Sequence, residues 1–195
     1  MNETTICHVK RSYKDTLFRM IFSEKDKLLS LYNTVSRNHY ADPEALEIVT
    51  LENAIYMNMK NDLAFVVECS LHLYEYQSTY SPNMPIRNLF YIARKLEIML
   101  NHRSLCSTKP VLFPEPCFIV FFNGTDQPWS QKILKLSECY QRKTDNPKLE
   151  LLVTMLNINL DRNDDLLEKC PTLLEYMQYV NNVRTYSALW VFRRQ

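Results

Sequence analysis

Two acids flanking a short apolar hairpin pattern have the spacing in this chain that points most directly to chemistry. Asp62 opens the run Leu63-Ala64-Phe65-Val66-Val67, and Glu75 closes the run Leu71-His72-Leu73-Tyr74. A turn centred on Glu68-Cys69 folds the two runs into a hairpin, in which Val66 faces Leu71, Ala64 faces Leu73 and Asp62 faces Glu75. Directly opposed side chains have Cβ atoms ~5 Å apart, and like charges placed there repel unless a cation or a proton lies between them. A divalent metal resolves the conflict. Mg²⁺ favours oxygen ligands and keeps several waters, so one or two carboxylates plus a phosphate oxygen suffice to hold it. Mn²⁺ is the expected substitute. The same parity puts Gln77 on the face of Glu75 and opposes it to Lys60, a cation suited to orienting water or neutralising a phosphorane oxygen.

Spacing alone leaves a second reading open. Asn61-Asp62 also suits an ordinary turn and Glu75 a half-exposed strand position, and a slip of one residue would send the acids to opposite faces of the sheet. His72 and Tyr74 fall on the other hairpin face and are expected to pack. Trp129 and Trp190 could stack on bases, but anchoring a core or loop is the expected role.

The elements that must position this hairpin follow from periodicity. Leu17, Phe18, Ile21, Phe22, Leu28 and Leu29 form a helical stripe from about Ser12 to Tyr32, broken into two helices by Ser23–Asp26. Ser12 and Asp15 have the spacing of a capping box. Asp42-Pro43 marks a turn, with short strand-like segments at 46–49 and 54–57. After the hairpin, Asn83 is placed as N-cap of an amphipathic helix that turns Ile86, Leu89, Phe90, Ala93 and Leu100 inward. Phe118–Phe122 is apolar at successive positions, as in a central strand covered on both faces. Strands at 133–136 and 149–158 and a final helix at 171–186 complete a mixed α/β pattern.

Composition narrows the function classes. The chain has 195 residues, 46% of them hydrophobic and 23% charged, and is expected to form one domain over 1–195 with a core at about 12–186. Its single glycine, Gly124, excludes Walker and Rossmann nucleotide sites, whose phosphate loops need several residues without a Cβ. Asparagine is expected to take over turn positions that need positive φ. Six cysteines are scattered without zinc spacing. No stretch resembles a signal peptide or a membrane helix, so a soluble, cytoplasmic protein is expected. A net charge of +1 confines phosphate contacts to local patches, with Arg87, Arg94 and Lys95 after the hairpin, Lys132, Lys135, Arg142, Lys143 and the Arg193-Arg194 tail as candidates.

Lys60–Phe65, Leu73–Tyr80 and Pro82–Arg87 together resemble the recombination-promoting nuclease family, also described as transposase-like, of the PD-(D/E)XK superfamily. Tyr13–Phe22, Phe121–Gly124 and Leu156–Asn159 are similar to its first helix and later strands, so the likeness covers about Ser12 to Tyr186. The resemblance implies a central mixed β-sheet flanked by helices, DNA as substrate and metal-dependent phosphodiester hydrolysis. It implies that Asp62 and Glu75 are the paired metal-binding acids, that the Tyr76 carbonyl is a further ligand, and that Asp15 is an additional acid on the first helix. Gln77 stands where the superfamily motif usually has lysine, which leaves open the group that assists the attacking water. Many such sequences continue into further helices, so the end at Gln195 reads as loss of a dimerisation tail, with a homo-oligomer left open. The competing expectation is a DNA-binding or protein-interaction module that keeps the fold without catalysis.

Overall fold

The computed structural model describes residues 13–49, 63–100 and 105–192, with side chains described as far as residue 186. Two short helices come first, α1 (Tyr13–Phe22) and α2 (Lys25–Ser36). They part where the sequence loses its apolar stripe, and Ser23 donates its hydroxyl to the Met20 carbonyl at 2.8 Å. The Ser12 half of the expected capping box lies outside the described residues. A 3₁₀ turn at Pro43–Ala45 is capped by Asp42, whose carboxylate accepts from the Glu44 N–H at 2.9 Å. The two-residue strand β1 (Glu47–Ile48) follows; the strand-like segment expected at 54–57 lies outside the described residues.

Strands β2 (Leu63–Val67) and β3 (Ser70–Gln77) form the expected antiparallel hairpin, with Ala64 opposite Leu73 and Val66 opposite Leu71. No glycine is available at its turn, so Glu68 takes the left-handed conformation, with φ at 51°. Helix α3 (Met84–Met99) then carries the chain to β4 (Glu115–Phe122), which runs parallel to β3. Parallel neighbours require such a crossover. Strand β5 (Gln131–Lys135) pairs antiparallel with the next strand, β6 (Leu152–Asn157), which is parallel to β4. A short helix α4 (Asp164–Lys169) and the long α5 (Pro171–Phe192) close the chain.

The result is a mixed α/β arrangement whose six-stranded sheet has the order β1-β2-β3-β4-β6-β5, with helices packed on both faces. On one face Phe18, Phe22 and Leu28 from α1 and α2, and Leu173 and Tyr176 from α5, bury Phe65, Tyr74, Tyr76 and Phe121. On the other, Met84, Tyr91 and Ile92 of α3 cover Leu71, Leu73, Val120 and Met155. Strands β3 and β4 therefore have cores on both sides, which explains their continuous apolar runs. Among the described residues no helix is long and apolar enough to cross a membrane.

Three sequence expectations are corrected. Ile86 and Leu89 do pack against the sheet as expected, but the buried residues of α3 are Met84, Pro85, Asn88, Tyr91, Ile92 and Lys95, while Phe90 is 54% exposed and Ala93 faces solvent. Apolar periodicity missed this set because two of its members are polar and satisfied internally: Asn88 donates to the Met84 carbonyl at 3.0 Å, and Lys95 donates to the Val49 carbonyl. Asn83 does occupy the N-cap position of α3, yet its side chain makes no capping bond. Among the described residues the positive-φ positions are Arg37, Glu68 and Asp161, none of them asparagine.

His72 packs as expected on the first core face, stacked on Phe65 at 5.2 Å and meeting Tyr32 edge-on at 4.9 Å. Its Nε2 is buried without a hydrogen-bond partner, and burial lowers its pKa from 6.5 to about 4. The unfolded chain therefore takes up this proton first as the pH falls, so the associated stability is present above about 6.5 and is lost toward pH 4. The unfolding free energy is expected to drop by about 2 kcal/mol between pH 7 and pH 5 from this group alone. His72→Phe should remove that slope in urea unfolding at the two pH values.

Candidate functional site

Strands β3, β4 and β6 are parallel and end on one rung, with Gln77 paired to Phe122 and Phe122 to Asn157. Open parallel sheets place ligands at this carboxyl edge, where the chain turns away and leaves a crevice. A cleft of about 360 Å³ lies there, lined by Lys14, Asp15, Glu75, Tyr76, Gln77 and Arg87 among others. Four residues singled out from sequence as the acid pair's companions or members, Asp15, Glu75, Tyr76 and Gln77, thus meet in one place. Lys60 and Asp62 lie outside the described residues. The hairpin register is established as far as Leu63 opposite Tyr74.

Glu75 is the electrostatic centre of the cleft. It projects from a strand buried on both faces and is only 5% exposed. Burial raises its carboxyl pKa; Arg87 and the Gln77 amide oppose that rise, and the charge of Asp15 adds to it. Arg87, one turn into α3, reaches Glu75 Oε1 at 2.6 Å. Gln77 Nε2 donates to the same oxygen at 3.0 Å and to the Met84 sulfur at 2.9 Å. That leaves Gln77 Oε1 buried with no hydrogen-bond partner, on a residue that lines the same cleft as Glu75 and Asp15.

Asp15 arrives from the first turn of α1, where a carboxylate is also favoured by the helix dipole. Tyr76 points to the opposite face, stacked on Phe18 at 5.1 Å. Its phenol pKa is raised chiefly by burial, so its side chain is a packing group.

The basic candidates separate. Arg87 is the counter-charge of Glu75. Arg94 is exposed on α3 and paired with Glu97. Lys95, expected at a phosphate, is instead 5% exposed and directed at Val49; burial lowers its pKa, with Glu47 opposing. Lys132 donates to the Tyr80 hydroxyl at 2.9 Å. Trp129 anchors a loop by packing on Phe122 and donating to Gln127 at 3.0 Å.

An oxygen set of two carboxylates and an unpartnered amide oxygen suits a hard divalent cation. Among the described residues, no group of three or more His, Cys, Asp or Glu side chains converges as a metal centre. Comparison of the chain with protein-family models, with curated proteins and with solved structures finds no match.

Sequence reasoning missed Arg87 as the partner of Glu75, although a cation one turn into the helix after an acid-bearing strand is a legible signal. Removing one member of a buried pair leaves the other charge stranded. Arg87→Met is expected to lower stability by about 3 kcal/mol at pH 7. Protonation of Glu75 relieves the stranded charge, so the deficit should shrink as the pH falls toward 4.5. Denaturant unfolding of both proteins at the two pH values checks the sign.

Proposed function

We propose that this chain is a divergent, metal-dependent nuclease of the PD-(D/E)XK kind that hydrolyses phosphodiester bonds in DNA. The observation that carries the reading is Glu75: a buried carboxylate at the carboxyl edge of parallel strands, sharing a cleft with Asp15 and with the unpartnered Gln77 oxygen. A six-stranded mixed sheet with helices on both faces also agrees with the mixed sheet and flanking helices that the resemblance implies.

Asp15, Glu75 and Gln77 would hold the cation, Mg²⁺ or Mn²⁺, with Asp62 assigned to the set from its place in the sequence. When bound, such an ion acidifies a water and polarises a phosphoryl oxygen. The remaining work falls to the protein's own groups. Arg87 neutralises Glu75 in the free protein and presents a guanidinium to the cleft, where a phosphate oxygen entering beside Glu75 meets a charge-assisted donor. Burial keeps the carboxylate dry and its interactions strong. Gln77 cannot carry a charge where the superfamily motif has lysine, so it positions Glu75 through its amide N–H. Lys60 is assigned the part of the water-orienting cation.

The second reading, a DNA-binding or protein-interaction module without catalysis, is favoured by one observation: Glu75 already has a full counter-charge in Arg87. The two are separated by incubating plasmid DNA with the full chain in Mg²⁺ or Mn²⁺. Glu75→Gln and Asp62→Ala are expected to reduce cleavage to background, and Asp15→Asn to slow it roughly 10–100-fold. Equal residual nicking by the wild type and all three folded variants would establish the non-catalytic module.

A further inference from the structure

Along the same sheet edge a second cleft, of about 570 Å³, lies beyond the turn that follows β4. Thr125, Gln127, Asp161, Arg162, Asn181 and Arg184 are among its lining residues. The guanidinium of Arg184, on α5, is held entirely by neutral acceptors: Nη1 donates to Asn159 Oδ1 at 2.8 Å and Nη2 to the Asn123 carbonyl. Arg162 donates to the Pro128 carbonyl at 3.3 Å. Among the described residues neither arginine forms an ion pair with a carboxylate.

Asn159 is itself fixed, donating to the Gly124 carbonyl at 2.7 Å and to Asn157 Oδ1 at 2.8 Å. The network orients Arg184 without neutralising it. Nearby, Lys14 has a pKa lowered by burial and, secondarily, by the charge of Arg184. A half-buried guanidinium beside a second cation, with no acid bonded to either arginine, is an arrangement that an anion would complete.

The two clefts adjoin. Lys14 lines the first and is coupled to Arg184 in the second. The Ser78 carbonyl, in the wall of the first, lies so close to Gly124 in the wall of the second that a Cβ there would sit 2.7 Å from it.

We propose that the Arg162–Arg184 cleft is a phosphate-binding subsite that takes a backbone phosphate of a polynucleotide next to the phosphodiester held at Glu75 and Asp15. The assignment of the ligand as a polynucleotide rests on the nuclease reading. The anion site itself rests on Arg184, whose guanidinium bonds only neutral acceptors and, among the described residues, pairs with no carboxylate, although Asp161 lines the same cleft. Arginine is suited to the task because its planar fork can keep its neutral acceptors on one edge and offer the remaining N–H groups to phosphate oxygens.

The test uses the full chain in EDTA, so that no divalent ion contributes. Inorganic pyrophosphate is titrated while the melting temperature is followed, and a fluorescent duplex is titrated by anisotropy over a range of salt concentrations. The wild type is expected to be stabilised by pyrophosphate. Arg184→Gln and the milder, exposed Arg162→Gln should each lose most of that shift. Each should weaken DNA binding roughly tenfold and reduce the salt slope by about one. Lys148→Gln, at an exposed position, serves as a surface-charge control and should leave both readouts unchanged.

A wild type indifferent to pyrophosphate, or arginine variants that respond to it as the wild type does, would overturn the subsite. Should the pyrophosphate shift depend on Arg162 and Arg184 while Glu75→Gln cleaves DNA as fast as the wild type, the anion site stands and the nuclease reading fails.

Discussion

A carboxylate placed on a strand with hydrophobic cores on both faces must find a counter-charge, and in this protein that requirement organises the elements around β3. The β4 residue paired with Glu75 is the apolar Val120, and among the described residues the match comes from α3 through Arg87 at 2.6 Å. This fixes how the crossover helix is rotated. With Arg87 turned to Glu75, Met84 lies against Gln77, Asn88 and Ile92 turn toward the sheet, and Lys95 comes to the Val49 carbonyl beside β1. The helix therefore packs its polar-tipped face inward and leaves Phe90 in solvent, an orientation that hydrophobic burial alone would not select.

Much of the sheet was legible because it depends on local pattern. Two short apolar runs, Leu63–Val67 and Leu71–Tyr74, separated by Glu68-Cys69-Ser70 indicate the hairpin, and centring its turn on Glu68-Cys69 gives the register observed. The unbroken apolar run at Phe118–Phe122 identifies a strand with neighbours on each side. The loss of stripe at Ser23-Glu24 separates the first two helices. Less legible were features decided by tertiary partners. Nothing in the amino-acid pattern indicates that Asn88 and Lys95 are satisfied inside, or that Glu68, Arg37 and Asp161 adopt the left-handed conformation in place of asparagine.

The candidate site divides along the same line. Glu75 and Gln77 could be placed together by strand parity, and Asp15 by resemblance, because these are statements about one strand and one motif. Arg87, read as a phosphate candidate, also has an internal partner in Glu75, and Lys95, read in the same way, has the Val49 carbonyl. Charge alone does not distinguish a surface cation from a buried counter-ion. The network of the Asn157 and Asn159 amides escaped notice, since neutral amides bonding to backbone groups leave no periodic trace.

Gly124 has an ordinary negative φ region available to any residue, so its lack of a side chain answers to space rather than to backbone twist. The Phe122 ring and the Ser78 carbonyl occupy the volume in which a Cβ would lie. The loop leaving β3 and the turn leaving β4 are consequently in direct van der Waals contact, and the acid-bearing and arginine-bearing crevices share a partition one backbone thick. Such a partition has no slack side chain to absorb movement. A shift of either loop is transmitted to the other as displacement, which makes the chain's lone glycine a mechanical joint between the two crevices.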